Sequence, residues 1–254
     1  MDLQLTGKKV LVTGGSKGIG QAISLAFLTE GAIVAVVARS ESDWMKELHG
    51  FHSERFLFIK ADLMDESKRV EVVKEVESTF GAVDILINNV GGSNGEQVSN
   101  TELALFEEAL QLNYLSAVHM SQLVLPNMKV RGSGVIINIS SIFGRESGGK
   151  PTYNSAKAAM ISFTKAIADE VIKDGIRVNG VAPGAILHPN GNWQRRLEQE
   201  PEGIKQFVRE QIPGGRFGTV EEIANVVLFL SSEKASWVVG ATLNVDGGQS
   251  KANF

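Results

Sequence analysis

A chain of 254 residues, 43% of them hydrophobic, is long enough to bury one large core. Its formal net charge of −4 comes without a basic run, which argues against a nucleic-acid partner, and no apolar stretch approaches the roughly 18 residues of a membrane span. The absence of cysteine excludes disulfide frameworks, thiolate nucleophiles and zinc–thiolate sites, and no metal site is expected.

The first segment, MDLQLTGKKVLVTGG, enters an apolar β-type run with no charged leader, long apolar stretch or small-residue cleavage site, so a soluble cytoplasmic protein is expected. Strand-length apolar runs lie at 8–13, 32–38, 55–61, 83–89, 134–140, 176–182 and 241–247. Most lack strict alternation, as expected of strands buried on both faces of a parallel sheet. Segments with helical spacing separate them, such as Ile19, Ile23, Ala26 and Phe27, then Val70, Val73, Val76 and Phe80. Strands alternating with helices predict an α/β fold, a single doubly wound, Rossmann-like domain over residues 1–254 with a seven-stranded parallel sheet. Residues 185–215 are broken by Pro189, Gly191, Pro201, Gly203, Pro213, Gly214 and Gly215, yet Trp193 and Leu197, then Ile204, Phe207 and Val208, keep helical spacing. Short amphipathic helices forming a lid over a cleft are expected there.

The first strand runs into TGGSKGIG and then a helix. Gly14, Gly18 and Gly20 allow a tight turn, close approach to a pyrophosphate and close helix packing, with the helix N-terminus facing the phosphates. The spacing is not G-x-G-x-x-G, and a plain strand-to-helix turn is the alternative. An NAD-binding chain usually carries Asp or Glu at the end of the second strand; here that end reads VVARS, with Ala38 and no carboxylate. Arg39 and Lys17 can neutralise a 2′-phosphate and Ser40 adds a hydroxyl, so NADP(H) is expected over NAD(H); otherwise both cations are solvated surface charges. The third strand ends in KADLMD, where Asp62 with Leu63 either reaches an adenine edge or Asp62 caps the next helix. The fourth ends in INNVGGS, which sets Asn88, Asn89, Gly91 and Gly92 at the carboxyl edge of the sheet, where ligands bind in open α/β folds.

In KPTYNSAKAAM, Tyr153 and Lys157 share a helix face about 6 Å apart along the axis. A nearby cation favours the phenolate and lowers a phenol pKa, so the pair can exchange a proton. Ala156, Ala158 and Ala159 keep that helix narrow enough for a planar ligand or a neighbouring helix. By itself such a pair can be a core-edge Tyr beside a solvated Lys. The strand before it ends in NISSIFG, where Ser140 or Ser141 can donate to a carbonyl oxygen. No acyl-transfer triad is apparent around the four His residues, which makes the serine a donor rather than a nucleophile.

TGGSKGIG, ADL, NNVG, LNYLSAVHMSQ, NISS, YNSAK, IRVNGVAPG and VDGG, in that order, resemble the short-chain dehydrogenase/reductase family over essentially the whole chain. The resemblance implies Tyr153 as general acid/base, Lys157 as its cationic partner on the nicotinamide ribose, Ser141 as the group orienting the carbonyl, and Asn113 as holder of a relay water. Ser141 is favoured over Ser140 because Ser141 and Gly144 meet the family's S-x-x-G spacing. Cofactor contacts are implied for Gly14, Ser16, Lys17, Gly18, Ile19, Gly20, Arg39, Ser40, Asp62, Leu63, Asn89, Val90 and Gly91, with Pro183, Gly184 and Ile186 against the nicotinamide. Two departures are Val90, where the family most often has Ala, and His188, where it commonly has Thr; His188 either makes that contact or is a loop residue.

The implied reaction is reduction of a carbonyl to a secondary alcohol by NADPH, with a 3-oxoacyl thioester as the leading substrate because the pattern is similar to 3-oxoacyl-carrier-protein reductases. A sugar or polyol dehydrogenase is the close alternative and a non-catalytic nucleotide-binding protein the distant one. Arg145, Trp193, Arg195 and Arg196 are candidate substrate contacts or surface residues. Spare apolar positions at Leu105, Leu110 and Leu115, and at Ile161, Phe163 and Ile167, are compatible with a second buried interface, and the resemblance implies a homotetramer.

Overall fold

The apolar runs become seven parallel strands among the described residues, which are 2–51, 54–189 and 191–253 of a computed structural model. The strands are β1 (Lys9–Thr13), β2 (Ile33–Ala38), β3 (Phe56–Lys60), β4 (Ile85–Asn88), β5 (Gly134–Ile139), β6 (Ile176–Pro183) and β7 (Thr242–Val245), in the order β3-β2-β1-β4-β5-β6-β7. The register sets Val12 beside Val36 on one side and Ile87 on the other, so β-branched side chains stack across the centre of the sheet.

Successive residues of each strand feed opposite faces. Val10, Val12, Val34 and Val36 pack under α1 (Gly18–Thr29) and α9 (Val220–Ser231) through Ile23, Phe27, Ile223 and Val227. Leu11, Ala35 and Val37 pack under α3 (Glu66–Phe80), α5 (Ser116–Arg131) and α6 (Pro151–Val171) through Val76, Val124 and Ile167. With both faces covered, the strands need no polar alternation, which is why most of their residues are apolar, and the polar residues Asn138, Arg177 and Asn179 within them are buried. The remaining helices are α2 (Asp43–Phe51), α4 (Leu103–Leu110), α7 (Asn192–Gln199) and α8 (Pro201–Gln211).

Chain order moves outward from β1 to β3, then resumes at β4 on the other side of β1, leaving a crevice beyond the carboxyl ends of β1 and β4. Six of the strands are shorter than their apolar runs for local reasons at their ends, while β6 runs one residue beyond its own. Asn89 leaves β4 to bond the glycine loop, and Asp246 ends β7 by accepting from the backbone N–H groups of Gly248 and Ser250. Within 185–215, α7 and α8 form the expected pair of short helices, residue 190 lying outside the described residues. The base of this excursion is pinned where Leu187 N donates to Gly218 O and Gly218 N to Ala185 O.

Candidate active site

Thr13, the last residue of β1, organises the crevice. Its buried hydroxyl donates to Ile87 O and accepts from the N–H groups of Asn89 and Val90 at 2.9 and 3.1 Å, locking the end of β4 to the end of β1. Asn89 returns the tie, its Nδ2 donating to Thr13 O and Gly14 O at 3.0 Å each. Gly14 has φ +67°, and a Cβ on Gly20 would sit 2.4 Å from Gly14 O, so helix α1 starts directly against the loop backbone. From the other side, Trp44 on α2 donates its indole N–H to Ser16 O at 3.0 Å. Thr13 and Trp44 carry no signal of these roles in the sequence, since each depends on contacts 28 to 77 residues away.

A cleft of about 1450 Å³ extends from this loop across the carboxyl edge of the sheet. Gly14, Ser16, Lys17, Gly18, Ile19, Gly20, Arg39, Ser40, Asp62, Leu63, Asn89, Val90, Gly91, Ser141, Tyr153, Lys157, Pro183, Gly184, Ile186 and His188 all line it. Lys17, Arg39 and Ser40 stand exposed on its rim, and neither cation makes an ion pair among the described residues. Ala38 is buried at the end of β2, leaving no carboxylate where one would repel a phosphate. Asp62 is not a helix cap: Asp65 caps α3 by accepting from Ser67 N, whereas Asp62 accepts from Met64 N and stays exposed in the cleft. The His188 ring lies over the glycine loop, about 2.9 Å from where a Cβ on Gly18 would be. Gaps at glycines, a helix N-terminus and unpaired cations on the rim fit a dinucleotide with an anionic adenosine end.

Helix α6 starts at Pro151, whose fixed φ suits the first helical position, and presents Tyr153 and Lys157 from successive turns. Lys157 is only 3% exposed; its Nζ donates to Ile139 O at 2.8 Å and lies 5.6 Å from the Tyr153 ring centre. The two adjacent serines part company. Ser140 donates to Lys157 O, which ties β5 to α6, whereas Ser141 accepts from Phe143 N and faces Tyr153 across the cleft. Burial pushes the Tyr153 phenol above its ordinary value, with the Ser141 side chain opposing. Burial pulls the Lys157 ammonium down to about 8. Their spacing predicts a phenol lowered by the cation; in the structure burial raises it instead.

Asn113 sits apart from the cleft wall, fully buried in a π-helical turn, Gln111–Leu115, between α4 and α5. Its Nδ2 donates to Gly92 O and Ala109 O, both at 2.9 Å, and its Oδ1 accepts from Gly92 N at 3.0 Å. A Cβ on Gly91 would meet Asn113 Oδ1 at 2.7 Å and Lys157 Nζ at 3.2 Å, so all three converge behind the β4 loop.

At the far end of the cleft, Trp193, Arg196 and Phe207 line the wall with Glu96, Glu108 and Lys150, while Arg195 does not. Trp193 stacks on Phe207 at 4.7 Å between ring centres, and Arg196 lies over the Trp193 ring at 4.7 Å. Arg145 is turned away, donating to the Thr242 carbonyl on edge strand β7. Glu96 lies in the loop after β4, Glu108 on α4 and Lys150 at the cap of α6, and only the tertiary fold gathers them at the cleft, which is why the sequence does not mark them.

A doubly wound sheet with a glycine loop at its switch point, and a phenol, a lysine and a serine meeting beside it, defines a nicotinamide-dependent oxidoreductase acting on CH–OH or C=O groups. The chain belongs to the short-chain dehydrogenase/reductase family: a family model described as Enoyl-(Acyl carrier protein) reductase matches residues 14–250. It is 34% identical over 250 residues to the 3-oxoacyl-[acyl-carrier-protein] reductase FabG of Thermotoga maritima, covering 97% of this chain and 99% of the relative. It is 37% identical over 251 residues to the 7α-hydroxysteroid dehydrogenase of Escherichia coli K12, covering 97% and 96%. The L-sorbose reductase of Gluconobacter frateurii, solved in complex with NADPH and L-sorbose, superposes with a TM-score of 0.90 at 35% identity, covering 99% of this chain and 100% of that one. Among the described residues no helix is long and apolar enough to cross a membrane.

Proposed function

We propose that this protein is an NADPH-dependent carbonyl reductase working as one catalytic domain, with residues 185–215 as the lid on its substrate side. The observation that carries the reading is the convergence of Ser141, Tyr153 and Lys157 in one cleft with the glycine loop. The missing carboxylate after β2, together with Lys17, Arg39 and Ser40 on the rim, supports a 2′-phosphorylated cofactor. A reduced nicotinamide bound there supplies the hydride. Ser141 donates to the substrate carbonyl oxygen, and Tyr153, a phenol protonated at neutral pH, gives that oxygen its proton. Lys157 has ammonium hydrogens beyond the one on Ile139 O with which to hold the nicotinamide ribose, and Asn113, with one Oδ1 lone pair open, anchors a water that reloads the proton path. His188, above Gly18, stands at the cofactor's phosphates or carboxamide.

Names of the relatives favour a 3-oxoacyl thioester as substrate. The likeness to a sugar reductase, with a stacked aromatic wall at Trp193 and Phe207, supports the sugar or polyol substrate of the second reading, a sugar or polyol dehydrogenase, though not its oxidative direction. A panel of acyl thioesters, sugars and cyclic ketones, with their alcohols, followed by reduced-nicotinamide absorbance with each nucleotide, decides between them. No turnover of any carbonyl, or a clear preference for NADH, sinks the proposal. Exposed Leu103, Leu110 and Leu115 along α4 and its π turn are the surface for pairing in a homotetramer, whereas Ile167 is spent in the core; a monomeric sedimentation mass would refute the assembly. Such an enzyme draws on the nicotinamide pool of the cytoplasm.

A further inference from the structure

Arg69 stands on the first turn of α3 and is 3% exposed, a buried cation that forms no ion pair among the described residues. Its helix otherwise turns Val72, Val73 and Val76 inward, so an aliphatic side chain would continue the buried face without the desolvation of a guanidinium. What distinguishes the position is where the guanidinium donates. Nε reaches Leu63 O at 2.7 Å and Nη2 reaches Met64 O at 3.0 Å, while Nη1 lies 3.5 Å from His119 Nδ1 on α5. Leu63 and Met64 line the cleft beside Asp62 and Ala61, whereas Arg69 does not reach it.

The segment held this way is a tight turn. Asp65 N donates to Asp62 O at 3.2 Å and Met64 N to Asp62 Oδ1 at 3.0 Å, which leaves the carbonyls of Leu63 and Met64 pointing inward under the cleft floor. A two-pronged guanidinium matches two successive carbonyls as a lysine cannot. Resting on the reading of the cleft as a dinucleotide site, we propose that Arg69 is a positioning residue for the adenosine half of the cofactor. It holds the Asp62–Met64 backbone from below and touches no cofactor atom. Nothing in its contacts extends to Tyr153 or Lys157, so its effect belongs to one half of the cofactor only.

Arg69→Leu and Arg69→Lys, each checked by circular dichroism and melting, are titrated with four probes: NADPH, 5′-AMP, adenosine 2′,5′-bisphosphate and reduced nicotinamide mononucleotide. In Arg69→Leu, affinity for NADPH and for both adenosine fragments falls about tenfold, as losing charge-assisted hydrogen bonds implies, and kcat at saturating NADPH is retained. Affinity for the mononucleotide changes less than twofold. Arg69→Lys, which keeps the charge and can satisfy one carbonyl, falls between, and it carries the test if the leucine variant does not fold. Unchanged adenosine-fragment affinity in the folded variants overturns the proposal, as does equal weakening of both halves or loss of kcat at saturation. If the unaltered protein binds neither fragment, the dinucleotide reading fails and takes this proposal with it.

Discussion

Tyr153 and Lys157 are both pushed by burial toward their neutral forms, and neither shift by itself strengthens the proton donor. A phenol at its ordinary pKa already carries its proton at neutral pH, the state that reduction consumes, and raising that pKa makes it a weaker acid. Tyr153→Phe keeps the ring and its packing but removes that proton. Steady-state assays should show kcat lower by about 10²–10⁴-fold with NADPH affinity within about twofold; turnover close to the parent's would remove Tyr153 from the mechanism. Lys157 makes a different prediction, about stability. Its folded-state pKa of about 8 lies below the 10.5 expected when exposed, so between those values the unfolded chain binds more protons than the folded one. Stability therefore gains as pH rises through that window, and below it the buried ammonium costs on the order of 3 kcal/mol in the ligand-free protein. Lys157→Met should melt higher than the parent near pH 7, the gap narrowing from about pH 8 to about pH 10.5. A gap independent of pH would mean that the ammonium is not desolvated. Both residues were legible as a pair from four-residue spacing, but the direction of the phenol's shift was not. It depends on the depth of burial of the phenol, which is a tertiary fact.

At the scale of elements, the site depends on how closely α6 lies against the loop after β5. A Cβ on Gly144 would meet the backbone O and C of Lys157 at 2.7 and 2.8 Å, and neither atom can yield unless the helix shifts. Gly144→Ala should cost about 1–3 kcal/mol, typical of an overpacked contact. It should also lower kcat, because the shift moves Tyr153 and Lys157 away from Ser141; denaturant melts and steady-state kinetics check both. A variant as stable and active as the parent would show that the two backbones are not in register-defining contact. The same contact explains why S-x-x-G was readable as a spacing although its cause, a helix backbone 13 residues beyond Gly144, was not. Strands were legible for a related reason: in a doubly covered sheet most of them are largely apolar runs, and their ends were misjudged, as where Asn89 and Asp246 turn to side-chain bonding. The π turn around Asn113 has no such signature, since QLNYL reads as ordinary helix. Arg145, which the sequence leaves as either a substrate contact or a surface residue, fastens that loop to β7, a partner 97 positions away.

Taken whole, the molecule is two sets of strands joined at β1 and β4, and the cleft draws its walls from both. Lys17, Arg39 and Asp62 lie on the β1–β3 side, while Ser141, Tyr153, Lys157 and Pro183 come from the β5–β6 side. A ligand spanning the cleft is bound only when both sides are folded, so it stabilises the native state by mass action. At about 100 times its Kd, NADPH should add about 2.7 kcal/mol, which for a chain of this length raises Tm by roughly 5–10 °C. NADH at the same concentration should raise it less, because Lys17 and Arg39 then have no 2′-phosphate to neutralise. Arg39→Asp should reduce the NADPH shift and leave the NADH shift equal or larger, since a carboxylate repels the phosphate and can accept from a ribose hydroxyl. Equal shifts with the two nucleotides in the parent, unaltered in Arg39→Asp, would place the rim cations outside cofactor discrimination and return them to the solvated surface.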